Sequence, residues 1–98
     1  MKQYTTPEQT AKLIELGFEP STRIPFEVGN DELGRTFSIG ELMEMLPKEI
    51  GCSSLQLYHA GLWTVSYPLY ESKYYVASYE LCDALFEMIC YLKEEGVI

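Results

Sequence analysis

Positive charge is scarce in this chain. Seven Lys and Arg stand against fifteen Asp and Glu, a formal net charge of −8 at pH 7. Nucleic acid and anionic lipid both repel such an anion, which excludes non-specific binding to either. Histidine is limited to His59 and tryptophan to Trp63. No run approaches the roughly 18 continuous apolar residues of a membrane span. The opening Met1-Lys2-Gln3-Tyr4-Thr5-Thr6-Pro7 lacks the apolar core of a signal peptide. There is no internal repeat and no low-complexity segment.

Cysteine is too sparse for a disulfide framework. The three thiols, Cys52, Cys82 and Cys90, are an odd number. Cys82 and Cys90 fall in one predicted helix, where a rise of ~1.5 Å per residue sets them ~12 Å apart. A disulfide needs Cα atoms within about 7 Å. The same separation keeps them from sharing one zinc site with Cys52 and His59, and no other metal or cofactor pattern is present. Free thiols and the lack of a leader point to a soluble protein of a reducing cytoplasm.

What the chain has is apolar surface. It is 47% hydrophobic and 13% aromatic over 98 residues, too apolar for a disordered acidic tail and enough for one domain spanning 1–98.

Start and stop signals outline three helices. Thr6 as N-cap, Pro7 at the first helical position and Gln9 closing a capping box open a helix over 7–16. Gly17 ends it, with Phe18 folding back on Leu13 as in a Schellman cap. Ser38 and Glu41 form a second capping box, flanked by Phe37 and Leu42 as a hydrophobic staple, for a helix over 39–46 that Pro47 ends. Ser78 as N-cap opens a third helix over 79–95. Its stripe of Leu81, Cys82, Leu85, Met88, Ile89 and Leu92 recurs at helical spacing, and Gly96 stops it.

Between the second and third helices the apolar period changes to two. Leu55-Gln56-Leu57-Tyr58 and Leu62-Trp63-Thr64-Val65-Ser66-Tyr67 alternate and predict a hairpin. A three-residue loop, His59-Ala60-Gly61, sets Leu57 opposite Trp63 and Tyr58 opposite Leu62. One face then reads Leu55, Leu57, Trp63, Val65, Tyr67, and the other Gln56, Tyr58, Leu62, Thr64, Ser66. Gly61 takes the left-handed place of a type I turn with a G1 bulge. Tyr74-Tyr75-Val76-Ala77 predicts a third, antiparallel strand. Residues 24–28 alternate briefly as an edge strand, with Arg35-Thr36-Phe37 as its return. The expected fold is α+β: helix, short strands, helix, three-stranded antiparallel meander, and a last helix packed on the sheet.

Catalytic chemistry has little support. His59 lies in the predicted turn with no nucleophile motif, and Cys52 has no neighbouring cation to lower its pKa. A cryptic enzyme using either residue is the weakest reading, and the expectation is that the protein is not an enzyme. Two surfaces remain. Glu80, Asp83, Glu87 and Glu94 project from the last helix opposite its apolar stripe, and residues 78–98 hold half the net charge. Such a face suits a basic partner, and an acidic mimic that occupies a nucleic-acid-binding protein is the alternative it offers. Six of the eight tyrosines (Tyr58, Tyr67, Tyr70, Tyr74, Tyr75, Tyr79) crowd around Trp63. Base stacking would need cations, and residues 55–77 contain only Lys73, offset by Glu71. Tyr58, Leu62, Tyr70 and Tyr75 therefore mark a protein interface, to a partner protein or to a second copy in a homodimer.

Two segments, Phe37-Ser38-Ile39-Gly40-Glu41-Leu42-Met43-Glu44-Met45-Leu46-Pro47-Lys48 and Ala84-Leu85-Phe86-Glu87-Met88-Ile89-Cys90-Tyr91-Leu92, resemble small bacterial proteins encoded in prophages and integrative elements of gut anaerobes. Those proteins open on a Thr/Ser-x-Glu-Gln helix and often carry Trp where Phe37 and Tyr91 stand here. The resemblance implies an accessory protein of a phage or mobile element. It implies no reaction, because the shared motifs are caps and core stripes.

Overall fold

The computed structural model describes residues 3–19, 22–23, 35–69 and 74–98. The first helix, Pro7–Glu15 (α1), starts as its sequence dictates: Thr6 accepts from the Gln9 N–H at 3.1 Å, and Gln9 Oε1 accepts from the Thr6 N–H at 3.0 Å. Its end is a Schellman cap. Phe18 N–H donates to the Leu13 C=O and Gly17 N–H to the Ile14 C=O, with Gly17 at φ +102°.

Two short strands follow, Thr22–Arg23 (β1) and Arg35–Thr36 (β2), paired antiparallel with Thr22 opposite Thr36. The proposed partner of this return, residues 24–28, lies outside the described residues. Ser38 then caps the second helix, Ile39–Met45 (α2), with both halves of its capping box formed. The N-terminal segment braces this start. Ile39 N–H, one of the donors a helix leaves orphaned, donates to the Gln3 C=O, and Thr5 N–H donates to the Phe37 C=O. Phe37 and Leu42, the two halves of the predicted staple, are both buried in the core.

A two-residue hairpin not foreseen from the sequence, Glu49–Ile50 (β3) and Ser53–Ser54 (β4), turns around Gly51 at φ +61°. The main sheet follows: Gln56–Ala60 (β5), Leu62–Ser66 (β6) and Tyr75–Ser78 (β7), antiparallel in the order β5-β6-β7. This is the expected meander, but its register differs from the expected one. Leu57 faces Val65 rather than Trp63, and Tyr58 faces Thr64 rather than Leu62, because the chain reverses around Gly61 with Ala60 opposite Leu62. Both registers pair odd residues with odd ones and even with even, so the two faces keep their predicted members. His59 is therefore not a turn residue. It sits in β5 opposite Trp63.

The last helix, Leu81–Glu94 (α3), begins two residues later than Ser78 suggests. Ser78 is the end of β7, paired with Trp63, and the N-cap position falls to Glu80, whose side chain makes no capping bond. Pairing with β6 holds the chain extended past the best local cap. α3 packs on β6, β7 and α2. Leu85, Met88, Ile89 and Leu92 are completely buried there, together with Val65 and Tyr67 from the sheet. Each such aliphatic side chain contributes about 1.5–3 kcal/mol of transfer free energy. Val97 N–H to the Leu92 C=O and Gly96 N–H to the Lys93 C=O close a second Schellman cap.

Candidate functional site

α3 covers one side of the meander, and among the described residues no helix or strand packs on the other. On that outer face the register aligns Gln56, Ser66 and Tyr75 in one row, and Tyr58, Thr64 and Ala77 in the next. Tyr58 is 66% exposed, Tyr75 58% and Tyr79, just beyond β7, 84%. Leu62 lies half-buried on the same face beside Ala60. Thr64 Oγ1 donates to the Tyr58 C=O at 3.2 Å at the centre of that row. No charged residue occurs in 53–69 or 74–79.

The remaining tyrosines of the cluster divide as their strand phase requires. Tyr67 and Tyr74 point inward and are buried. The Tyr67 hydroxyl donates to the Pro47 C=O, and burial pushes its phenol up to about 12. Tyr74 packs its ring against Tyr91 at 5.0 Å between centroids. Tyr70 lies outside the described residues.

The acidic residues of α3 are not the free stripe their spacing suggests. Asp83 Oδ1 accepts from Gln9 Nε2 at 2.8 Å, and Glu94 pairs with Lys12 at 3.6 Å, so half the stripe faces α1. Both members of the second pair are well exposed, which limits it to about 0–1 kcal/mol. Glu80 stands at the N-cap rather than on the helix, and Glu87 is exposed. Sequence spacing located these residues on one helix face but carried no signal for what lay across from them.

The candidate nucleophiles are scattered. His59 is exposed and stacks on Trp63, ring centroids 4.4 Å apart and planes 14° from parallel. Cys52 is exposed at the β3–β4 turn, and Cys82 is buried in the stripe where the sequence put it. Burial pushes the Cys90 thiol up to about 11, with Glu94 and Glu87 acting in the same direction against Lys12. It therefore stays protonated at neutral pH. Among the described residues no group of three or more His, Cys, Asp or Glu is placed to hold a metal ion, and no helix is long and apolar enough to cross a membrane.

One surface feature was missed in the sequence. A groove of about 440 Å³ runs between α2 and β5, lined by Met43, Glu44, Lys48, Leu55 and Leu57. Leu55 and Leu57 belong to the core face by phase, yet both are only half-buried because α3 lies chiefly over β6 and β7.

Comparison with known proteins adds no assignment: no family model, no curated protein and no solved structure matches the chain.

Proposed function

We propose that this protein is a non-enzymatic interaction module whose working surface is the outer face of the β5-β6-β7 sheet. The observation that carries the reading is the combination of exposure and neutrality on that face. Tyr58, Tyr75 and Tyr79 present large rings to solvent on a surface without a formal charge, in a chain whose net charge is −8. Tyrosine is enriched at protein interfaces, where its ring supplies apolar area and its hydroxyl a polar handle, while charged groups are depleted from interface centres. On α3, by contrast, a partner must desolvate the exposed carboxylates of Glu87 and Glu94. The outer sheet face spares it that cost.

The partner is a protein, and the setting that the sequence resemblance suggests is the cytoplasm of a cell carrying a phage or mobile element. The acidic-mimic reading draws less support, since Asp83 and Glu94 are turned toward α1. Affinity capture with immobilised protein tests the proposal. Wild type retains a partner that the Tyr58→Ser/Tyr75→Ser variant loses, while Glu87→Gln/Glu94→Gln retains it. The reverse pattern favours the mimic. Light scattering then separates a foreign partner from a second copy, since an 11.2 kDa species at high concentration excludes the homodimer.

A further inference from the structure

We infer that the outer edge of β5, with the groove beside it, binds an extended segment of a partner protein that alternates apolar and basic residues. This rests on the reading of the chain as an interaction module and adds a second contact with its own chemistry.

The edge comes first. β5 ends the three-stranded sheet, and among the described residues no further strand lies outside it. The Tyr58 C=O faces β6, where Thr64 Oγ1 reaches it. Main-chain groups of successive strand residues point to alternate sides, so those of Leu57 and His59 face outward. Leu55 shares their phase, and its N–H donates to the Lys48 C=O at 2.8 Å. That bond continues the β3–β4 ladder, in which Glu49 faces Ser54. Lys48 thus already acts as an outer neighbour at Leu55, and an incoming strand would extend its line past Leu57 and His59. Edges are ordinarily blunted by Lys, Pro or an inward charge, and Gln56-Leu57-Tyr58-His59-Ala60 has none of these.

The groove supplies selectivity. An added strand puts alternate side chains onto the apolar floor of Met43, Leu55 and Leu57 and the others beside Tyr58. Main-chain bonds then give affinity and the floor selects every second residue. Charge decides the occupant. A second copy brings the same −8 and is repelled, whereas a segment carrying Lys or Arg at its outward positions is attracted.

A synthetic peptide alternating valine and lysine, titrated into the ¹⁵N-labelled full chain, is the test. Binding saturates, with the largest amide shifts and slowed exchange at Leu57 and His59. A peptide N-methylated at alternate positions cannot donate to the edge and binds roughly tenfold more weakly, as does one with glutamate in place of lysine. His59→Pro removes one outward N–H and no inward ladder bond, and weakens binding by a similar factor. The peptide arms need no variant, so a misfolded His59→Pro does not affect them. Absence of binding at about 1 mM peptide, equal binding of the N-methylated form, or shifts confined to α3 overturns the inference. If a Tyr75→Ser variant still loses its captured partner, the sheet-face reading survives that result. Retention of the partner by Tyr75→Ser defeats the sheet-face reading and leaves the β5 edge standing.

Discussion

Gln9 Nε2 donates to Asp83 Oδ1 at 2.8 Å while Oε1 of the same amide caps Thr6, so one side chain both closes the start of α1 and ties it to the first turn of α3. The partners are 74 positions apart in sequence. Gln9→Glu keeps the capping acceptor but sets a carboxylate against Asp83, and costs about 1–2 kcal/mol of stability. Adding Asp83→Asn restores an amide–carboxylate pair and recovers most of the loss. Urea denaturation of the two single variants and the double variant measures this coupling, and additive losses would contradict it.

A second junction is built from hydroxyls. Thr5 Oγ1 lies 2.6 Å from Thr10 Oγ1 and 3.1 Å from Thr36 Oγ1, and all three residues are buried. They join the N-terminal segment, α1 and β2 at one point. Thr10→Val has nearly the same shape and removes one bond of the cluster while Thr5 Oγ1 keeps Thr36 Oγ1 and the Phe37 N–H, for a cost of about 0.5–1.5 kcal/mol. A variant as stable as wild type by thermal unfolding would show that the cluster contributes nothing net.

Alkaline pH should loosen the fold through two groups. The Cys90 thiol, ordinarily ionising near 9, is pushed up to about 11, and the Tyr67 phenol, ordinarily near 10, to about 12. The unfolded chain gives up these protons first, so stability is full below pH 9 and falls as pH rises through 11 and 12. Urea midpoints therefore drop between about pH 9 and pH 12, and Cys90→Ser shallows the early part of that drop. Tyr67→Phe removes the later part. It also leaves the Pro47 C=O without its donor, at a cost of about 1–2 kcal/mol at neutral pH.

The turn at Gly61 is a backbone requirement rather than a packing one. Its φ is +79°, and a Cβ added there meets nothing within 4 Å. Gly61→Ala thus costs about 1–2 kcal/mol from strain alone, while Gly61→Asn, which visits the left-handed region more readily, costs roughly half as much. Equal stability of the alanine variant in chemical denaturation would mean that the turn relaxes.

These cases also show what the sequence could and could not express. Caps are local chemistry, and Thr6, Gln9, Ser38, Glu41, Gly17 and Gly96 do what their spacing announces. The α3 stripe and the two sheet faces follow from periodicity alone. Register within the hairpin did not, because pairing Leu57 with Trp63 or with Val65 leaves every side chain on the same face, and only turn geometry distinguishes them. Ser78 is the best cap by residue type, yet its pairing with Trp63 prolongs β7 and shifts the helix start. The Tyr58–Tyr75 surface was legible because alternation places those rings outward. The groove at Leu55 and Leu57 was not, since nothing in the pattern says that α3 would favour β6 and β7.

Hydroxyl-radical footprinting of the protein with its captured partner tests the central claim most directly, because it reads side-chain accessibility ring by ring. Tyr58 and Tyr75 should lose most of their oxidation on complex formation, while Tyr4, exposed far from the sheet in sequence, keeps its own. Unchanged oxidation of Tyr58 and Tyr75 in a stable complex would contradict the assignment of the outer sheet face as the working surface.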